Sequence, residues 1–517
     1  MSGKRLVGIA ALLVAGLWAS GAWGADLVIF PTSYMDNPRS SIAPPDPLPT
    51  EAKIFASRGE YEPLAFAVRS TQLLDTVSVK VGDLVGPRGK IGGANVTLSG
   101  MGRVVDQGRG NFITVLGPAK PVELPANTSV SYWLTVKVPD DAAPGTYRGA
   151  ITAEGGNLTA KLDVALEVLD IKLDEPTQAI GFNYSWPKSV EVLRAQLKDM
   201  REHGMTGVGP LYGFHLPIYD NDVSDFDTFV REYQQAGYKT TLWVATPMNM
   251  SAGELKGFGE VDSPRFVRRW KKVMEALYGV TEKYNQPAIF SVGDEYTNQG
   301  LKGVETSERL AKMAFDTLPQ LPCGSDINGY QELMRTSKYY DAAAFNIGWG
   351  GADNHNGNRT LLNRKTIEEV VANNCKPWFV NAGKGRMSYG YWFWKMASYG
   401  MQGKIEWYYN LGNPPYERGS MIFVYEGKTC PTLDYERSRE GCDDMKYLVT
   451  LENRIAAARQ AGRGDSPAVT KAEKLLQQVR SDISDDWTDY RQGDGSWSPA
   501  KFDNYRRQVA ECILEVK

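Results

Sequence analysis

The sequence predicts a multidomain β plus α/β protein: an N-terminal antiparallel β-sandwich, then a (β/α)8 TIM barrel, then a helical C-terminal tail. Three observations predict it. Up to about residue 175 apolar and polar residues alternate with period two. After Asp174-Glu175-Pro176, short apolar runs alternate with amphipathic helical stretches. From about Asp443 onward only helical periodicity remains. The corresponding division is 1–24 signal peptide, 25–175 sandwich, 176–445 barrel and 446–517 a helical extension packing on the barrel.

The N-terminus carries Lys4 and Arg5, a charge-free stretch from Leu6 to Trp18, and small residues around Ala22 and Gly24. This is the layout of a cleaved export signal. The run is too short for a membrane span, which needs about 20 apolar residues. Cleavage is expected after Gly24, which gives a secreted or periplasmic protein with no stable membrane span. Hydrophobic residues make up 42% of the 517 and charged residues 23%, the composition of a folded globular chain rather than a disordered or collagen-like one. The formal net charge of −3 offers no positive field for nucleic acid. The five cysteines begin at Cys323 and show no CxxC; His203, His215 and His355 form no HExxH. No metal or other cofactor is expected. Cys430 and Cys442 are candidates for a loop disulfide, a pairing the sequence leaves open.

In the sandwich, Tyr132, Leu134, Val136 and Val138 alternate with Trp133, Thr135 and Lys137. Leu162, Val164, Leu166 and Val168 alternate with Lys161, Asp163, Ala165 and Glu167. One buried and one polar face mark antiparallel strands. Pro139 and Pro144-Gly145 mark a turn between two of them.

Eight apolar runs follow: Ala179 to Trp186, Gly207 to Phe214, Thr240 to Ala245, Ala288 to Gly293, Gly324 to Ile327, Ala342 to Gly348, Pro377 to Ala382 and Lys404 to Tyr409. Helices separate them. One carries Val190, Leu193, Leu197 and Met200 on one face. Another opens at Ser263-Pro264, a cap followed by proline at the first helical position. Eight such units in about 260 residues fit the barrel. A doubly wound sheet usually has a glycine-rich turn after its first strand; Asn183-Tyr184-Ser185-Trp186 is not one.

Barrel chemistry sits at the C-terminal strand ends. Those ends supply Tyr184 and Trp186 from strand 1, Tyr212 and His215 from strand 2, and Asp294 and Glu295 from strand 4. Strand 6 supplies Asn346 and Trp349, strand 7 Asn381 with Arg386 nearby, and strand 8 Glu406, Trp407 and Tyr409. The rim is rich in aromatics, amides and carboxylates, groups that suit the CH faces and hydroxyls of sugars. The sharpest feature is Ser291-Val292-Gly293-Asp294-Glu295-Tyr296. Glycosidic cleavage needs two carboxyl functions, one protonating the leaving oxygen. Neighbours in a regular strand face opposite ways, so Asp294 and Glu295 act together only where the strand ends or bulges. An adjacent pair suits substrate-assisted hydrolysis, in which the sugar's own 2-acetamido oxygen attacks the anomeric carbon and no enzyme nucleophile is needed.

With these residues the chain resembles glycoside hydrolase family 123 and its relatives. The resemblance is carried by Ala56-Ser57-Arg58-Gly59-Glu60-Tyr61-Glu62-Pro63, Tyr132-Trp133-Leu134, Val138-Pro139, Pro144-Gly145-Thr146-Tyr147, Gly293-Asp294-Glu295, Gly403-Lys404-Ile405-Glu406-Trp407, and the segment Glu436 to Asp444. That last segment lacks the family's clean Arg-x-Glu spacing, and the tail beyond Asp444 is unusually long. The resemblance implies a sandwich joined to a barrel and a retaining β-N-acetylgalactosaminidase. Asp294 would stabilise the acetamido group, and Glu295 would be acid and base. A glycan or glycoconjugate is the implied substrate. Two other readings remain: a glycosidase for sugars lacking the acetamido group, with Glu295 as acid and Glu406 as nucleophile or base, and a non-catalytic glycan-binding protein.

Overall fold

A computed structural model describes residues 26–105, 112–217, 220–245, 259–347, 360–411, 414, 416, 419–490 and 495–516. The export-signal reading lies outside the described residues.

Two sheets form the sandwich. One runs in the order Leu27–Pro31, Tyr61–Ser70, Thr128–Lys137, Val96–Val105, Phe112–Pro118, all antiparallel. The other runs Glu51–Arg58, Leu158–Lys172, Gly145–Gly155, Leu74–Val81, Val122–Leu124, with Leu84–Gly86 and Gly89–Ile91 at its side. Glu51–Arg58 lies parallel to Leu158–Lys172, one exception to the antiparallel pattern. The alternating residues read from the sequence (Tyr132, Leu134, Val136, Leu162, Val164, Leu166, Val168) meet between the sheets. Trp133 departs from its expected polar face. It is 1% exposed, because Ala65, Leu116 and Leu433 cover that side of the sheet.

The barrel follows in the expected order. We label its elements β1 (Ala179–Ser185), α1 (Val190–Glu202), β2 (Gly209–Tyr212), α2 (Ser224–Gln235), β3 (Leu242–Ala245), α3 (Pro264–Lys283), β4 (Ala288–Asp294), α4 (Gly300–Thr317), β5 (Cys323–Ile327), α5 (Tyr330–Thr336), β6 (Ala342–Phe345), α6 (Arg364–Ala372), β7 (Lys376–Val380), α7 (Trp392–Ala397) and β8 (Gly403–Glu406). The eight strands are parallel and hydrogen-bonded in the order β2-β1-β8-β7-β6-β5-β4-β3, with β2 and β3 side by side closing the circle. Ser189 and Ser263 cap α1 and α3 through their side chains, Ser263 with Pro264 behind it; each cap is worth about 1 kcal/mol.

Inside, Ala179, Trp243, Ile289, Ala342, Ala344, Trp378, Val380 and Ile405 fill the barrel. The two indoles lie 5.2 Å apart. Small neighbours make room for them: a Cβ at Gly324 would meet the Trp243 ring at 2.7 Å, and one at Gly403 would meet the Trp378 ring at 2.3 Å. This inward set fixes the direction of every alternate residue along each strand, and so decides which side chains reach the mouth.

The tail comprises α8 (Leu433–Gln460), α9 (Pro467–Asp482) and α10 (Pro499–Glu515). Helix α8 begins ten residues earlier than the sequence reading placed it, capped by Thr432. Its first turns carry Glu436, Arg437, Arg439, Glu440, Asp443 and Asp444, the charged segment that shares in the family resemblance. Of these, Glu436, Arg439, Glu440, Asp443 and Asp444 are buried, because sandwich, barrel and tail meet there. Arg506 of α10 donates to Asp444 Oδ1 at 2.7 Å and Glu440 Oε2 at 2.8 Å, and lies 3.8 Å from Glu60 and 3.9 Å from Glu62 of the sandwich. All five cysteines are buried and free, so Cys430 and Cys442 are not bridged. No helix among the described residues is long and apolar enough to cross a membrane.

Candidate active site

Strand β4 ends in a break of pattern. Its pairing with β5 slips between Ser291 and Asp294. Glu295 then takes a left-handed conformation, φ 47° and ψ 43°, and caps a one-turn 3₁₀ helix, Tyr296–Gln299. The slip and the turn remove the strict alternation that would send the two carboxylates to opposite faces. Glu295 is half-buried. Its Oε1 accepts from Asn346 Nδ2 at 2.6 Å and its Oε2 from Asn298 Nδ2 at 3.1 Å. Asn346 follows β6 on the same inward face as Ala342 and Ala344. The amide of Asn298 is itself held by Asn328 Nδ2 at 2.8 Å.

Asp294 opens to solvent at the strand end, yet its carboxyl is ringed by protein and by other acids. Burial first, then the charges of Glu295 and Glu332, push its pKa up to about 7. Asp294 therefore keeps its proton until near neutrality.

The other residues read from the sequence divide into three groups. Asn381 and Trp407 stay at the mouth. Both are half-buried, and Asn381 Oδ1 accepts from the Trp407 backbone N–H at 3.0 Å. Trp186, Tyr409 and His215 lie to one side. Trp186 and Tyr409 line a cavity of about 1090 Å³ between α1 and the chain after β8, with Gln196, Asn410 and Tyr416. Tyr409 donates to Asp199 at 2.9 Å. His215 is exposed on the loop after β2 and paired with Asp220 at 3.0 Å. A second cavity, about 630 Å³, separates sandwich from barrel and is lined by Tyr61, Lys137, Arg194 and Lys198. Neither cavity includes Asp294 or Glu295. The strand-end pair defines the candidate site, because the acids that chemistry requires are there.

Three expected sugar-binding residues point elsewhere. Glu406 shares register with Phe182, which faces out of the barrel, while its neighbour Ile405 faces in. It is 5% exposed and bonded to Lys404 Nζ at 3.0 Å. Two-residue periodicity therefore turns the proposed second carboxylate away from the mouth. Tyr184 faces out for the same reason and donates to Gln196 at 2.8 Å. Arg386 is fully buried, held by Asp444 at 2.6 Å and by Asp503 and Tyr34. Its charge serves the junction with the tail. Trp349 and the side chain of Tyr212 lie outside the described residues.

The reading of strand ends assigned nothing to β5, yet β5 supplies the floor beside Glu295. Asp326 accepts the Glu295 backbone N–H at 2.8 Å through its carbonyl. Asn328 and, one helix later, Glu332 support the same turn. The signal was present as Gly324-x-Asp326-x-Asn328, three residues on one strand face.

The chain shares the fold of a family 123 glycoside hydrolase. A Clostridium perfringens member of that family, described as revealing details of glycolipid glycan hydrolysis, aligns over 95% of this chain and 98% of its own with a TM-score of 0.65 and 12% identity. At that identity the likeness establishes the fold. A family 2 β-galacturonidase from Eisenbergiella tayi aligns over 81% of this chain and 73% of its own, with TM-score 0.32 and 13% identity. An uncultured Clostridium β-glucuronidase aligns over 75% and 69%, with TM-score 0.33 and 11% identity. Scores at that level say nothing of this fold. No protein-family model and no curated protein matches the chain. Among the described residues no three His, Cys, Asp or Glu side chains are grouped to hold a metal ion.

Proposed function

We propose that the chain is an exported glycoside hydrolase that cleaves β-linked N-acetylhexosamine, N-acetylgalactosamine foremost, with retention and through the substrate's own acetamido group. The observation that carries this reading is the Asp294–Glu295 pair at the end of β4, two adjacent carboxyls of which Asp294 stays protonated up to about pH 7. One acid and one base are what the reaction needs. The acetamido N–H would donate to Asp294 and favour its carboxylate, leaving the proton on Glu295. Glu295 then protonates the glycosidic oxygen as the C–O bond breaks, and the acetamido oxygen bonds to the anomeric carbon from the opposite face. The Glu295 carboxylate next takes a proton from water, whose oxygen opens the cyclic intermediate and restores the starting configuration. Asn298 and Asn346 orient Glu295 throughout.

The fold, shared with a glycoside hydrolase, supports this reading, as do Trp407 and Asn381 at the mouth. The outward direction of Glu406 weighs against the two-carboxylate alternative. The test is release of 4-nitrophenol from α- and β-linked N-acetylgalactosamine, N-acetylglucosamine, galactose and glucose glycosides, with Glu295→Gln beside the wild type. Cleavage of β-acetamido sugars alone, lost in the variant, is expected. Cleavage of sugars lacking the acetamido group, or none that depends on Glu295, would overturn the mechanism. Export predicts a mature N-terminus at Ala25, read by N-terminal sequencing of the secreted or periplasmic protein.

A further inference from the structure

Behind the turn that carries Glu295 stands a buried acid that the reaction above does not use. Glu332 of α5 has no exposed surface. Its Oε2 accepts from the Thr297 backbone N–H at 2.9 Å and from Thr297 Oγ1 at 2.6 Å; its Oε1 accepts from Ser307 Oγ of α4 at 2.8 Å. Thr297 is the second residue of the one-turn helix that Glu295 caps. One side chain therefore ties α4, α5 and the turn together. The chain is shaped to allow it: a Cβ at Gly329 would meet Thr297 Oγ1 at 2.2 Å, and one at Gly303 would meet the Tyr296 carbonyl at 1.9 Å.

A buried charge is a poor choice for stability alone, since an apolar side chain of similar volume often does as well or better. A left-handed backbone at a residue other than glycine also costs of order 1 kcal/mol or more, and persists only where its surroundings enforce it. Both costs fall in the same turn, the left-handed backbone at Glu295 itself and the buried acid against Thr297 two residues on.

We propose that Glu332 is the positioning residue of the Asp294–Glu295 pair: it pins Thr297, holds the left-handed turn that brings Glu295 to Asn346, and places an acid behind Asp294. The proposal deepens the glycosidase reading and rests on it. The electrostatics agree, because Glu332 is one of the two charges that add to burial in raising the Asp294 pKa. Burial raises the pKa of Glu332 itself, opposed by the hydrogen bonds from Thr297 and Ser307.

The experiment uses the full chain, 4-nitrophenyl N-acetyl-β-galactosaminide, and the variants Glu332→Gln, Thr297→Val and Thr297→Ser. Glu332→Gln keeps the shape and removes the charge. It should lower kcat about 10²-fold, the cost of a misplaced reacting group, with KM within about threefold because the sugar contacts are untouched. It should also move the falling limb of the pH–kcat profile to lower pH by about half a unit, since a like charge has been removed from beside the pair. Thr297→Val should lower kcat about tenfold and Thr297→Ser should restore it, as expected where one positioning hydrogen bond is lost and regained. If Glu332→Gln does not fold, the two Thr297 variants decide. Folded Glu332→Gln and Thr297→Val proteins with wild-type kcat and an unmoved pH limb would overturn the proposal.

A second readout separates this from failure of the glycosidase reading. In protein labelled with ¹³C at the aspartate carboxyls, the Asp294 signal, assigned by its loss in Asp294→Asn, should titrate at lower pH in Glu332→Gln. An unchanged midpoint would overturn the proposal whether or not any glycoside is cleaved.

Discussion

Arg506 offers a direct measure of what holds the sandwich, barrel and tail together. It is 4% exposed and donates three hydrogen bonds, to Asp444 Oδ1 at 2.7 Å, Glu440 Oε2 at 2.8 Å and the Glu440 carbonyl at 2.7 Å. Glu60 and Glu62 lie just beyond. Arg506→Met keeps the bulk of the stem and removes the charge. Buried carboxylates then face one another with less compensation, and breaking such a pair from one side costs about 3–5 kcal/mol. The loss must depend on pH. With Arg506 present, burial and Asp443 already hold Glu60 up to about 8, and burial holds Glu440 up to about 7. Arg506 lowers both, so its removal raises both further. An acid whose folded pKa lies above its ordinary value binds protons on folding. Its stabilising contribution is complete below about 4.5 and is lost as pH rises through about 7 to 8. Glu436, held below its ordinary value by Arg439 and His203 against burial, acts in the opposite sense, but only below that window.

The assay is the thermal unfolding midpoint of wild type and Arg506→Met at pH 5.5 and pH 8.5. Wild type should be less stable at pH 8.5 on account of this cluster, and the gap to the variant should be widest there. At pH 5.5 the carboxyls take up protons and the gap should shrink. Equal stability at pH 8.5, or a loss of the same size at both pH values, would refute the reasoning.

Three other outcomes follow from the site. Glu406→Gln should keep kcat and lose stability, because the fully buried Lys404 ammonium loses its carboxylate at 3.0 Å; kcat beside a melting curve checks it, and a lost kcat in a well-folded variant would restore Glu406 to the chemistry. Asn346→Ala removes the 2.6 Å donor on Glu295 and should lower kcat about 10²-fold, the usual cost of one oriented donor, read by steady-state kinetics. Activity should fall above about pH 7, where Asp294 gives up its proton, and Asp294→Asn, which removes a like charge from beside Glu295, should lower activity and move that limb to lower pH; a pH–rate profile in both proteins decides.

Periodicity carried most of the architecture. The eight barrel strands lie on the eight apolar runs, and the Ser263-Pro264 cap starts α3 where its side-chain chemistry says. Direction was harder to read. Glu406 is a strand-end carboxylate in a rim of aromatics, and only the inward packing of Ile405 shows that it faces out. Arg386 looked like a sugar ligand because its partners, Asp444 and Asp503, lie far along the chain. Charged residues in a row, as in the opening of α8, give no local sign that another domain will cover them. Glu332 was missed for a related reason: nothing in Tyr330 to Thr336 says that its acid will meet Thr297 and Ser307.

The segments that carried the family resemblance therefore do different physical jobs. The stretch around Glu60 and Glu62 and the stretch from Glu436 to Asp444 come from opposite ends of the sequence, yet Arg506 joins them in one buried cluster. They record how the sandwich is clamped to the barrel. A chain can keep that clamp and change its substrate, since none of these side chains stands at the barrel mouth. Gly293-Asp294-Glu295 supplies the pair on which the proposed reaction rests, and that pair is held by residues the resemblance never named: Asn346 and Asn298 on Glu295, Asn328 behind Asn298, Glu332 beneath the turn. Related chains that keep the clamp but lose Glu332 or Asn346 are accordingly expected to fold as this one does and to be weak or inactive toward β-N-acetylhexosaminides. Exchanging Glu332 in this chain isolates that difference against an unchanged clamp.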